Sequence, residues 1–166
     1  MKGDVGMERV CDVAQYIYTK YKNLSGQEID EMKLHKLLYF SQRESIAVIG
    51  EPMFDAEFEA WKYGPVCTTV RSAFSARGIN ADCSDISFDN AYMINNVINE
   101  YGKFESWELS NISHKEISWK NSRKGYENDE ICKNTLKLSD IREDAKKIRP
   151  YDHVWDMYYD EFEDVE

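Results

Sequence analysis

The chain is poor in the residues that break or cross-link a fold. It has three prolines and eight glycines among 166 residues, too few for a linker-rich or low-complexity chain. No stretch approaches the roughly 20 apolar residues of a bilayer span, so no membrane partner is expected. Met1-Lys2-Gly3-Asp4-Val5-Gly6 lacks the apolar centre of a secretory signal. The four cysteines, Cys11, Cys67, Cys83 and Cys132, include no CxxC pair, which removes the common zinc and redox spacings. Four free thiols in a reducing cytoplasm are therefore expected. Positive charge is also scarce: 21 Lys and Arg stand against 31 Asp and Glu, for a formal net charge of -10. Nucleic acid is then excluded as the main partner, because phosphate binding needs concentrated Lys and Arg. A basic protein surface is the better match. GxGxxG, P-loop and GxSxG motifs are absent, and no cofactor is expected.

The chain does hold 42% apolar and 13% aromatic residues, enough for one core in one domain's length. Val10, Val13, Ala14, Ile17 and Tyr21 form a helical stripe within 7–22, with Gly26 as its stop. Residues 30–49 carry the strongest helical pattern. Asp30 is placed to cap it, Leu34, Leu37, Leu38, Ser41, Ser45 and Val48 form one face, and Met32, His35, Tyr39, Gln42 and Ile46 form a second. A helix apolar around so much of its girth belongs at the centre of a core. Phe54, Ala56, Phe58 and Ala60 alternate with Asp55, Glu57 and Glu59, the period of a half-buried strand. Tyr63-Gly64-Pro65-Val66 reads as the entry to a helix running to Ala76, since proline suits a first helical turn. Further helices are expected at 90–101, capped by Asp89, at 106–112, and from a capping Asp140 to Arg149. Residues 121–130 read as a polar loop, and 131–138 stay open between strand and loop.

From Tyr151 the composition changes. Seven carboxylates, no Lys or Arg, and Tyr151, Val154, Trp155, Tyr158, Tyr159 and Phe162 at helical spacing describe an acidic amphipathic helix. The expected fold class is mainly α (α+β): a single compact helical domain over 1–149, with a small β-sheet or hairpin, followed by an acidic C-terminal tail over 150–166.

Candidate chemistry is thin. Cys67 near a helix start would have a lowered pKa and could pair with His114, but a small buried hydrophobe is the simpler reading. His35, His114 and His153 show no metal-ligand spacing, so no metal is expected. His35 reads as a hydrogen-bonded core histidine, and a nuclease built on His35 and His114 would repel its own substrate. Glu57 and Glu59 share one face of the strand pattern and read as solvated. Trp61 and Tyr63 could stack a ligand, form a recognition surface or fill a satellite core.

Several blocks taken together are similar to a known family. They are Met32-Lys33-Leu34-His35-Lys36-Leu37-Leu38-Tyr39-Phe40-Ser41-Gln42, Gly50-Glu51-Pro52-Met53-Phe54, Glu59-Ala60-Trp61-Lys62-Tyr63-Gly64-Pro65-Val66, Val97-Ile98-Asn99-Glu100-Tyr101-Gly102, Leu109-Ser110, Ser113-His114 and Trp119. In this order they resemble the SocA-like antitoxin, or Panacea, domain of prophages and bacterial mobile elements. The resemblance covers roughly 8–140. It implies a mostly helical fold with a small sheet, no catalytic activity, and neutralisation of a neighbouring toxin by direct binding. One branch of the family is also linked to presenting the toxin to a bacterial protease. By motif, Lys36, Tyr39, Gln42, Trp61, Tyr63, Gly64, Pro65, Val66, His114 and Trp119 carry over. Ser113 and Ser118 stand where the family usually has Thr and Pro, and Arg71 where it often has Tyr. The expected partner contacts are Trp61, Tyr63, Glu57, Glu59, Trp155, Tyr158 and Tyr159. The alternatives are a proteolytic adaptor without a dedicated toxin, and a small hydrolase or nuclease using His114 with Cys67 or Glu59.

Overall fold

The computed structural model describes residues 7–77 and 85–148. Its elements run α1 (Val10–Ser25), α2 (Glu31–Ile49), β1 (Glu59–Trp61), β2 (Gly64–Val66), α3 (Thr68–Arg77), α4 (Phe88–Tyr101), α5 (Ser106–Ser113), α6 (Ile117–Ser122) and α7 (Leu138–Ala145). This is the mainly helical α+β fold expected from the sequence, with a small two-stranded antiparallel sheet. Among the described residues no helix is long and apolar enough to cross a membrane. The expected acidic helix, with Trp155, Tyr158 and Tyr159, lies outside the described residues.

Helix α2 is the axis of the molecule. Asp30 caps it by accepting the Lys33 amide at 2.9 Å, and Gly50 ends it in the left-handed conformation that favours glycine. Every residue from Lys33 to Ile46 is buried, because α1, α4, α5, α7 and β2 all pack on it. The apolar share of this surface includes Leu34, Leu37, Leu38, Phe40 and Ile46. The rest is polar and must find partners inside the protein, since a buried unpaired polar group costs on the order of 1–3 kcal/mol. Lys33 bonds the Tyr21 hydroxyl and the Gly102 carbonyl. Gln42 donates to the Phe54 carbonyl and accepts the Met53 and Phe54 amides. Ser45 donates to the Glu51 carbonyl.

Tyr39 and Arg43 anchor the far end. The Tyr39 hydroxyl lies 2.9 Å from Ser118 Oγ, 2.9 Å from Glu116 Oε1 and 3.0 Å from Asp144 Oδ2. Arg43 pairs with Glu116 at 2.8 Å and donates to the Tyr101 hydroxyl. Asp144, on α7, accepts the Ile117 and Ser118 amides at 2.7 and 2.9 Å. It thereby caps the N-terminus of α6, whose own flanking residue Glu116 makes no side-chain cap.

Three local expectations need correction. The alternation over 54–60 is real in burial, but strand pairing starts only at Glu59; Phe54 makes an isolated parallel bridge to Glu8 instead. Gly64-Pro65-Val66 is β2, not a helix entry, and α3 begins at Thr68. The register sets Ala60 opposite Pro65. The Ala60 amide bonds outward to the Asn134 carbonyl, so this is the pair whose polar groups face away from the ladder, and the missing N–H of Pro65 breaks nothing. Helix starts also shift: Ser87, not Asp89, caps α4 by accepting the Asn90 amide. Asp140 sits in the first turn of α7 rather than at its cap, which is Lys137. The segment left open between strand and loop lines the free edge of β1, where the Leu136 amide bonds the Phe58 carbonyl and Glu59 bridges Thr135.

Tyr39→Phe removes the one hydroxyl that ties α2 to α6 and α7. Chemical denaturation should show a loss of about 1–3 kcal/mol with an unchanged denaturant slope.

Candidate functional site

The β-hairpin is held from behind by side chains aimed at its backbone. Arg123 Nη1 donates to the Ala60 carbonyl at 2.8 Å, and Trp119 Nε1 to the Trp61 carbonyl at 2.8 Å. His114 Nε2 donates to the Lys62 carbonyl at 2.9 Å, Ser110 Oγ to the Tyr63 carbonyl at 2.8 Å, and Lys36 Nζ to the Pro65 carbonyl at 3.2 Å. Five of the six carbonyls from Ala60 to Pro65 are thus taken by donors from α2, α5 and the α6 region. The donors also brace one another: the His114 ring stacks on Trp119 with centroids 4.2 Å apart, and the Arg123 guanidinium lies 5.3 Å from the same indole. Arg123 further binds the carbonyls of Glu127, Asn128 and Glu130, which fixes the expected polar loop.

Gly64 is required here. Its φ is +113°, a region other residues enter only under strain. A Cβ would meet Ser113 Oγ and would come within 2.5 Å of Lys36 Cε. The bare Cα lets the hairpin lie directly on the Lys36 stem.

The front of the hairpin faces a cleft of about 420 Å³, shared with α2 and α3 and lined by Met32, Lys36, Trp61, Tyr63, Val66 and Arg71 among others. Trp61 and Tyr63 are therefore brought together on one wall. Tyr63 is 53% exposed with Lys62 Nζ over its ring. The Trp61 indole N–H donates to Glu59 at 2.7 Å, and the Arg71 guanidinium lies 5.4 Å from its ring. Arg71 pairs with Glu31, which also meets His35 Nε2 at 3.2 Å. Glu57 is exposed and lines a different depression, beside Pro52 and Leu136. Composition and motif gave Trp61 and Tyr63 but not Arg71, Glu31 or Met32, whose approach depends on how α3 returns along α2. The one available signal was the helical spacing of Glu31 and His35.

The titratable groups are set by burial. His35 is buried, its Nδ1 accepts the Cys67 amide at 3.2 Å, and its Nε2 proton points to Glu31. Burial pushes its pKa down to about 4 despite Glu31, so it is neutral at pH 7. Burial likewise lowers His114, against the raising effect of the Lys62 carbonyl. Lys36 falls to about 7 for the same reason. Cys67 reverses the expected lowering: burial raises its thiol pKa, outweighing backbone hydrogen bonds. The histidine beside it is His35, which meets its amide, not His114. Cys11, Cys67 and Cys132 are free, and among the described residues no cluster of His, Cys, Asp and Glu could hold a metal ion.

Comparison with known proteins gives the assignment. The family described as "Antitoxin SocA-like, Panacea domain" matches residues 34–120, just over half of the chain, and every hairpin clamp except Arg123 falls inside that stretch. This chain belongs to the SocA-like antitoxin family. Over 50 residues it is 44% identical to Antitoxin SocA of Caulobacter vibrioides (strain NA1000 / CB15N), covering 30% of this chain and 27% of that protein. The chain thus spans little more than a quarter of the length of the curated relative it matches. No solved structure matches it. Membership supports an antitoxin role and implies a toxin as partner in general. It also gives the motif residues Lys36, His114 and Trp119 a physical meaning, since in this SocA-like domain all three hold the hairpin backbone.

The buried His35 makes stability depend on pH in a definite direction. The unfolded chain binds a proton near pH 6.5, whereas the folded state resists until about pH 4. Acid therefore favours unfolding, by on the order of 3 kcal/mol once pH 4 is reached. Unfolding measured at pH 7 and pH 4.5 should show a smaller acid loss for His35→Asn than for the native chain.

Proposed function

We propose that this SocA-like protein neutralises a toxin by direct protein–protein binding, and that the cleft wall of Trp61 and Tyr63 is a principal contact. The observation that carries this reading is the division of labour in the hairpin. Its backbone is fixed from behind by donors that are buried, or half-buried in the case of His114, while its two large aromatics stay at the surface. Rigid, partly exposed Trp and Tyr side chains are the usual anchors of protein interfaces, and a surface held in shape loses little freedom on binding.

The net charge of -10 suits a basic toxin, whose encounter opposite charge would accelerate. Trp155, Tyr158 and Tyr159 in the acidic tail would add apolar anchors to that attraction. Glu59 serves by holding the Trp61 indole, and Glu57 by contributing to the acidic field. The protein acts as a binder and not as an enzyme in this reading: the ring N–H of His114 is committed to the Lys62 carbonyl and its ring face to Trp119. The setting is the cytoplasm of a bacterium carrying a prophage or related mobile element.

The test is co-expression with a toxic neighbouring reading frame. Trp61→Ala combined with Tyr63→Ala should weaken binding by roughly 30-fold or more, the scale of interface hot spots, and should lose growth rescue while the domain stays folded. Full rescue by the folded double variant would remove the cleft from the interface. A chain stopped after Arg149 should also bind more weakly, with a smaller dependence on salt.

A further inference from the structure

The cleft contains a buried lysine that, among the described residues, bonds no carboxylate. Lys36 lines it but is only 1% exposed: its stem passes beneath Gly64 and its ammonium ends on the Pro65 carbonyl. Of its three donors, one is used among the described residues, on the Pro65 carbonyl. Of the neighbouring carboxylates, Glu31 holds His35 and Arg71, while Asp30 accepts the Lys33 amide and the Ser106 hydroxyl and favours the Lys36 charge through space without bonding it. A buried ammonium is normally paired, and among the described residues no carboxylate bonds this one. The walls above it are Met32, Trp61, Tyr63 and Val66, which suit apolar groups on either side of an inserted charge.

We propose that this cleft receives one acidic side chain, Asp or Glu between apolar residues, from the bound toxin, with its carboxylate on Lys36. The inference rests on the reading of the cleft as the toxin contact and adds what the cleft recognises. A side-chain carboxylate can be presented with an apolar residue on each side, matching walls on both sides of the cleft, whereas a chain-terminal carboxylate has a neighbour on one side only. The charged and titratable groups around the ammonium are Asp30, Glu31, His35, Lys62, Arg71 and His114. With His35 and His114 neutral and Glu31 paired to Arg71, among the described residues Asp30 favours the charge, and burial outweighs it. The cleft thus reverses locally the sign of an acidic protein, so that one acidic residue on an otherwise basic partner fixes the docking position.

Burial holds Lys36 near pH 7, and a carboxylate within bonding distance should raise it by about 1–3 units. The experiment follows the Lys36 ε-methylene by NMR through a pH titration of the full chain, assigned by connectivity so that no variant at position 36 is needed. The probes are millimolar Ac-Leu-Glu-Leu-NH2, the same peptide with Gln, and Ac-Leu-Gln-Leu with a free terminal carboxylate. The proposal expects a midpoint near 7 that rises by about one unit or more with the Glu peptide only, and a weaker response in Trp61→Ala. No response, an equal response to the Gln peptide, or a response confined to the free terminus overturns it. A midpoint already near the ordinary lysine value of about 10.4, falling when the chain is stopped after Arg149, would put this chain's own tail in the cleft and also overturn it. If neutralisation depends on Trp61 and Tyr63 while the peptides have no effect, only the carboxylate pocket fails. If the Glu peptide binds but neutralisation ignores those aromatics, the toxin fails as the source of the carboxylate.

Discussion

A helix buried on every side cannot leave its polar side chains to water, and α2 carries many of them. That constraint organises the rest of the molecule. Four of its polar residues reach segments that have few ladder bonds of their own: Lys36 the hairpin, Tyr39 the start of α6, Gln42 the extended stretch at Met53 and Phe54, Ser45 the turn at Glu51. The irregular parts of the chain gain the hydrogen bonds that regular structure would have supplied, and the helix keeps few unpaired groups, Ser41 Oγ and Arg43 Nε among the described residues. A network of this kind specifies one arrangement, because a shift of any segment strands a buried donor or acceptor.

The same logic explains how a two-stranded ribbon of three residues each can present a surface. An isolated hairpin is marginal in water. Here the strands are short, but the outward carbonyls are bonded to donors fixed in helices, and the segment at 134–136 covers the other edge of β1. The proposed function uses that separation of a clamped backbone from the side chains of Trp61 and Tyr63, which face the cleft. Electrostatics works at two ranges. In the proposed reading the overall acidity acts over about a Debye length, roughly 8 Å at physiological salt, while Lys36 acts only on what reaches it.

Much of the helical frame was legible in the sequence because it rests on local signals. Asp30 and Gly50 bound α2, and the apolar stripe of α1 is intact in Val10, Val13, Ala14 and Ile17. The errors lie where tertiary bonds decide. Gly64-Pro65-Val66 has the local look of a helix start, yet the outward-facing position opposite Ala60 makes proline equally acceptable in a strand. Helix α6 escaped notice because its cap, Asp144, comes from another helix and leaves no mark near residue 117. The motif residues were legible as a resemblance, but their task was not: nothing in the spacing of His114 and Trp119 reveals that both address carbonyls more than fifty positions earlier.

Asp144 also bears on where this domain can be cut. The family match ends at residue 120, but the keystones of the matched part lie beyond it: Arg123 on the Ala60 carbonyl, residues 134–136 along β1, and Asp144 over the open end of α6. A recombinant fragment trimmed to the matched stretch would expose a bare sheet edge and an uncapped helix together, the combination that drives self-association. The smallest piece worth expressing therefore extends through α7, and crystallographic or screening work on this family should take its boundaries from these bonds rather than from the limits of similarity.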